Sequence, residues 1–289
     1  MEKTWRWSGK KDEFTLAMLR QIGVEGIVTA LYDIPAGEVW PHEAVAELSD
    51  LIKEAGMRWS VVDNLPVSET IMLGGENTDK LIANYVQSLA YLGEAGISTV
   101  CYNFTPETYY SSPTNDSASA SHIPLKENFK YFLSQLMPVC EEYNINMCIV
   151  PNKLACQASE FNHFAGNAED MEWILKAVDN PYNGMVIHIN SLITDVQNNE
   201  LQFVKEFSSR VNYIHYCDTG ILTIGKDKEP SHIESRERLI ELIRIFEKEK
   251  PFIPFCIDKA ANGTQPLQSR MYAFAQIDGI IATIQSENG

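Results

Sequence analysis

Three apolar runs of this 289-residue chain close on side chains that can share a divalent cation. GMVIH ends at His188, VNYIH ends at His215, and FIPFCI is followed by Asp258 and Lys259. Two imidazoles and a carboxylate suit Mn2+, Fe2+, Co2+ or Zn2+, and an open position on such an ion polarises a substrate hydroxyl or carbonyl. Three protein ligands are enough for a catalytic metal. A histidine closing one strand is more often a hydrogen-bonded structural residue, so the metal reading depends on the three ends meeting. His42, His122, His163 and His232 stand in polar loops or at helix starts and read as surface residues.

The elements that must bring those ends together are legible as a repeat. Short runs rich in Val, Ile and aromatics (3–7, 25–31, 58–62, 98–102, 146–150, 184–188, 211–215 and 252–257) alternate with amphipathic segments. HEAVAELSDLIKEAG (42–56) puts Val45, Leu48, Leu51, Ile52 and Ala55 on one face, and the segment from Asp79 ends on Gly96 as a helix stop does. Ser231 or Ser235 is available to cap the helix through SRERLIELIRIFEKE, and a final helix is expected from about Leu267 to Ile284. Eight strands alternating with eight helices over a chain of this length is the arithmetic of a single TIM (β/α)8 barrel spanning 1–289. An open doubly wound sheet is the competitor, but no glycine-rich phosphate fingerprint follows any strand. The Ser-, Pro- and Asn-rich stretch 105–124 is expected to be a flap.

In a barrel the active site lies where the C-terminal strand ends meet. The ends deliver Arg6 and Trp7; Tyr32 and Asp33; Asp63 and Asn64; Tyr102 and Asn103; Val150 and Asn152; His188; His215; and Asp258 with Lys259. Cys217 and Cys256, beside the proposed ligands, are read as core residues pointing away from the mouth.

Composition removes several other classes. A formal charge of −16 argues against nucleic acid or an anionic membrane surface as partner, since both require basic patches. No apolar run reaches the roughly 20 residues of a membrane span, and MEKTWRWSGKKDE is too polar for a secretion signal, so the cytoplasm is expected. Six cysteines without CxxC pairing, most in apolar segments, fit reduced thiols. A homodimer is left open.

Four elements, TWRWSG (4–9), GIVTALYDIPAGEVW (26–40), GMRWSVVDNLPV (56–67) and GISTVCYNFTP (96–106), together resemble the mannonate dehydratases, which carry similar elements in this order and at close to this spacing. Weaker similarity runs on through KENFKYFLSQLMPVCEE, AEDMEWIL and YIHY. The resemblance implies a xylose-isomerase-like TIM barrel that dehydrates D-mannonate to 2-keto-3-deoxy-D-gluconate in hexuronate catabolism, with a Mn2+-type ion on two histidines, a cysteine and an aspartate. The second histidine falls on His215 and the aspartate on Asp258. The cysteine position falls on His188, a different but competent ligand. The first histidine falls on Val150, which cannot bind metal, and the histidine that follows the aspartate is here Lys259.

The expected site is therefore His188, His215 and Asp258 around a divalent ion, Mn2+ first, with Asn152 or water as a fourth ligand. Beside such an ion, Lys259 is favoured as a neutral amine and serves as base, in company with Asp258; an ion pair of Lys259 with Asp258 or Asp63 is its structural counterpart. Arg6 and Arg270 are candidate forks for a sugar-acid carboxylate. Trp7, Asp63, Asn103 and Asn152 complete the substrate contacts. The alternatives are a sugar or sugar-acid isomerase or epimerase on the same barrel, and an inactive sugar-acid-binding paralogue.

Overall fold

A computed structural model describes residues 1–106, 124–150, 168–189, 200–217, 230–258 and 267–288. Its strands are β1 (Glu2–Arg6), β2 (Gly26–Thr29), β3 (Arg58–Val62), β4 (Thr99–Tyr102), β5 (Asn146–Ile149), β6 (Asn183–His188), β7 (Val211–Cys217) and β8 (Pro254–Asp258). They pair in sequence order as a closed barrel, the expected TIM (β/α)8 architecture. The described helices are α1 (Leu16–Gln21), α2 (His42–Glu54), α3 (Glu69–Leu73), α4 (Thr78–Glu94), α5 (Leu125–Tyr143), α6 (Ala168–Ala177), α7 (Glu200–Phe207), α8 (Pro230–Glu249) and α9 (Leu267–Asn288).

Two details differ from the sequence reading. The helix expected to be capped by Ser231 or Ser235 begins at Pro230, so both serines lie within its first turns. A proline fits there because the first helical residue has no intrahelical acceptor for an N–H. The short helix α3 was not anticipated: five residues show too little periodicity, and only its ends signal it, Ser68 before it and Gly74 in the left-handed conformation after it.

The chain forms two compact units. The first comprises Met1–Thr29, Ile52–Ser60 and Val186–Gly289. In it, registers run from β1 through β8 to β7: Thr4 pairs with Cys256, which pairs with His215, while Trp5 pairs with Ile257, which pairs with Tyr216. Paired residues of parallel strands share a sheet face and alternate residues face opposite ways. Trp5 packs against Phe274 of α9 at 5.9 Å, so its face is the one covered by helix. Thr4, Cys256 and His215 are therefore on the inner face.

At the start of β1, the buried Glu2 carboxylate accepts from Ser60 Oγ at 2.6 Å and from Arg58 Nε at 2.7 Å, and that hydrogen bond raises the Arg58 pKa. Gly26 makes room for this: a Cβ there would meet Ser60 Oγ at 2.0 Å and Glu2 Oε1 at 2.4 Å. The Met1 amino group pairs with buried Glu247 of α8. Thr15 Oγ1 accepts from Met18 N and caps α1.

The second unit comprises Ala30–Leu51 and Val61–Met185. Its core is aromatic: Tyr102 and Phe104 from the end of β4 pack on Phe129 and Phe132 of α5, and Tyr85 of α4 meets Phe132 edge-on at 5.1 Å. Burial lifts the Tyr85 and Tyr102 phenols well above their ordinary pKa. Asn183 is wholly buried, and its Nδ2 donates to the carbonyls of Ile174 and Val178, closing the last turn of α6 over β6.

Candidate active site

His188 is the last residue of β6 and His215 the fifth of β7, so the inner face carries both imidazoles on neighbouring strands. Their Nδ1 atoms are 2.7 Å apart and the rings meet edge to face at 83°. His215 is buried and His188 half-buried. Two nitrogens bound to one ion at about 2.1 Å each stand roughly 3.0–3.4 Å apart. A relaxation of a few tenths of an ångström would turn this contact into an edge of a coordination shell, so the donor pair fits a divalent cation. Among the described residues no set of three His, Cys, Asp or Glu side chains gathers around a common point. The third expected ligand, Asp258, ends β8 on the rung it shares with Cys217.

The registers correct one expectation. Cys256 lies on the same rung and face as His215, and Cys217 pairs with Asp258 two residues on. The two cysteine positions therefore belong to the inner face. The i, i+2 spacings His215–Cys217 and Cys256–Asp258 already imply this. Buried Tyr213, also two residues from His215, has its ring 6.2 Å from that imidazole. The same i, i+2 spacing marks it in the sequence, where it otherwise reads as one more residue of an apolar run. Cys101, Cys140, Cys148 and Cys256 are all buried free thiols.

Arg6 lies on the inner face as well, being two residues beyond Thr4 on β1, and is half-buried. Trp7 is buried, and its indole N–H donates to the Phe14 carbonyl at 3.0 Å. Arg270, in the first turns of α9, is 2% exposed, and its guanidinium carbon lies 4.1 Å from the Trp5 ring centroid and 5.9 Å from that of Phe14. A desolvated contact of this kind is worth about 2 kcal/mol. In the second unit, Asp63 and Asn103 follow β3 and β4 directly and are half-buried. Lys259, Asn152 and most of the expected 105–124 flap lie outside the described residues.

The model of the D-mannonate dehydratase (UxuA) family matches residues 1–120 and 115–285. This chain belongs to that family. A mannonate dehydratase of Thermotoga neapolitana is 30% identical over 308 residues, covering 85% of this chain and 85% of its own. The crystal structure of mannonate dehydratase from Streptococcus suis superposes with a TM-score of 0.80 at 24% identity, covering 100% of this chain and 96% of that one. D-psicose 3-epimerase from Clostridium cellulolyticum shares the fold at TM-score 0.66 and 12% identity, covering 98% and 99%. The family makes this chain a lyase of the mannonate dehydratase type, and the epimerases are distant from it.

Proposed function

We propose that this chain is a metal-dependent hydro-lyase acting on a sugar acid, with conversion of D-mannonate to 2-keto-3-deoxy-D-gluconate as its parent activity. The observation that carries the metal reading is the 2.7 Å approach of the His188 and His215 Nδ1 atoms on one barrel face. With Asp258 these residues hold a divalent cation, Mn2+ first, with Fe2+, Co2+ and Zn2+ as alternatives on the same donors. When bound, the ion supplies Lewis acidity for the departing hydroxyl and charge neutralisation for the enolate.

The chain's own residues do the rest. Lys259 takes the proton from the carbon that bears the carboxylate and returns it to the β-hydroxyl, which leaves as water, and the resulting enol becomes the 2-keto group as its hydroxyl proton passes to the neighbouring carbon. Arg6 forks onto the substrate carboxylate, which raises the acidity of that α proton. Asp63, Asn103 and Asn152 hold the remaining hydroxyls. Trp7, expected from sequence among the substrate contacts, lies on the helix side of β1 with Trp5, its N–H engaged by Phe14, and takes no part in holding substrate. Membership of the D-mannonate dehydratase family supports a cytoplasmic place in hexuronate breakdown.

Incubation of the Mn2+-loaded protein with D-mannonate, followed by colorimetric detection of 2-keto-3-deoxy acid, tests this. Product is expected. An epimerised aldonate without keto acid would move the assignment to an isomerase or epimerase. No turnover and no binding of any aldonate would leave an inactive paralogue.

A further inference from the structure

We propose that Arg270 acts as a positioning residue: with Trp5, Phe14 and Trp7 it forms a clamp on the helix side of β1 that fixes how Arg6 presents its guanidinium on the inner side. The inference rests on the sugar-acid reading above, and it reassigns Arg270, expected from sequence to grip the carboxylate itself.

The alternation of TWRW carries the argument. Trp5 faces α9, since it packs on Phe274 and pairs in register with Ile257 and, through it, Tyr216. Arg6 is the next residue and faces the other way, on the side of His215. Arg270 lays its guanidinium on Trp5, 4.1 Å from the ring centroid, so it belongs to the layer between strand and helix. Phe14 meets Trp5 edge-on at 4.9 Å, and its carbonyl is held by the Trp7 indole N–H at 3.0 Å. Trp7 N donates to Val28 O at 3.0 Å, extending the β1–β2 pairing one residue past Arg6. Arg6 is thus bracketed by two anchored tryptophans. Trp5 is wholly buried, and its face is covered by a cation at the start of the helix that follows the β8 end. The clamp ties that helix to the strand end carrying Arg6. A flexible arginine held in this way loses less freedom when it forks onto a carboxylate.

The test is carboxylate preference, read as the ratio of Kd for D-mannitol to Kd for D-mannonate by calorimetry on the full chain. Wild type is expected to prefer the acid by about tenfold or more, and Arg6→Gln to bring the ratio to about one. Trp5→Leu is expected to cut the preference about three- to tenfold, with Trp5→Phe restoring it because a ring face remains. In the Arg6→Gln background, Trp5→Leu and Arg270→Met change the ratio no further, because they act through Arg6. Should Trp5→Leu fail to fold, Arg270→Met in both backgrounds carries the comparison. The proposal is overturned if these variants lower melting temperature but leave the preference intact. It is overturned equally if Arg270→Met lowers mannonate affinity further once Arg6 is gone, since Arg270 would then touch the acid directly. A wild type that binds neither ligand removes the sugar-acid reading itself, and this inference with it.

Discussion

The Nδ1 atoms of His188 and His215 stand 2.7 Å apart on adjacent strands β6 and β7. At that distance the two lone pairs cannot face each other bare; either a proton lies between them or a cation beside them. Replacing either imidazole by alanine separates these outcomes from mere packing. His188→Ala is expected to remain folded, since its side chain is half-buried at a strand end, yet to lose divalent-ion stabilisation in thermal unfolding. An unchanged rise in melting temperature with added Mn2+ would put the ion elsewhere.

Gly26 has a steric duty. A methyl there would stand 2.0 Å from Ser60 Oγ and 2.4 Å from Glu2 Oε1, inside a hydrogen-bonded cluster with Arg58. Gly26→Ala must displace a buried carboxylate from its partners and is expected to cost about 2–4 kcal/mol in chemical denaturation. A loss below about 0.5 kcal/mol would mean the cluster relaxes freely.

Asn183 offers a second stability test. Its buried amide donates to the carbonyls of Ile174 and Val178 at the end of α6. Asn183→Ala leaves those carbonyls without that donor and is expected to cost about 1–3 kcal/mol, with hydrogen exchange in α6 rising more than in α4.

Alkaline stability should reveal the buried thiol of Cys140. Burial, first, then the neighbouring Glu141 charge push it from 9.0 up to about 12. The unfolded chain therefore loses this proton between about pH 9 and 12 while the folded chain keeps it, and stability falls through that window by up to about 1.4 kcal/mol per pH unit. Below pH 9 the group contributes no slope. Cys140→Ala should lower stability at pH 7 through its cavity yet flatten the alkaline decline. A decline of unaltered steepness would show that other groups, Tyr85 and Tyr102 among them, set it.

The barrel was readable because its strands are short apolar runs bounded by amphipathic helices, and each observed strand overlaps the run expected for it. His188 and His215 were readable as a pair for the same reason: a strand-end residue has a known destination once the strand order closes. What escaped the sequence are contacts that depend on register or on chain distance. Cys256 is an exception, since its i, i+2 spacing to Asp258 already places it on the inner face and its rung with His215 agrees. The stacking of Arg270 on Trp5 joins the first strand to the last helix, and no local pattern announces it. Gly26 reads as an ordinary strand start, and its need for a bare Cα appears only when Glu2 and Ser60 are brought over it.

Substitution at the proposed base gives a chemical check. Lys259→Ala is expected to lower kcat on the productive aldonate by about 10²–10⁴, with metal content unchanged, because a proton-transfer group is lost and no ligand is. Loss of metal along with activity would move Lys259 into the ion's own support.

The most direct measurement is metal stoichiometry on protein loaded with Mn2+ and then desalted. About one equivalent per chain in the wild type, falling below about a tenth in His188→Ala and in His215→Ala, is the result predicted by two imidazoles that share an ion. A wild type holding less than about a tenth of an equivalent, or a His188→Ala variant with full occupancy, would contradict it.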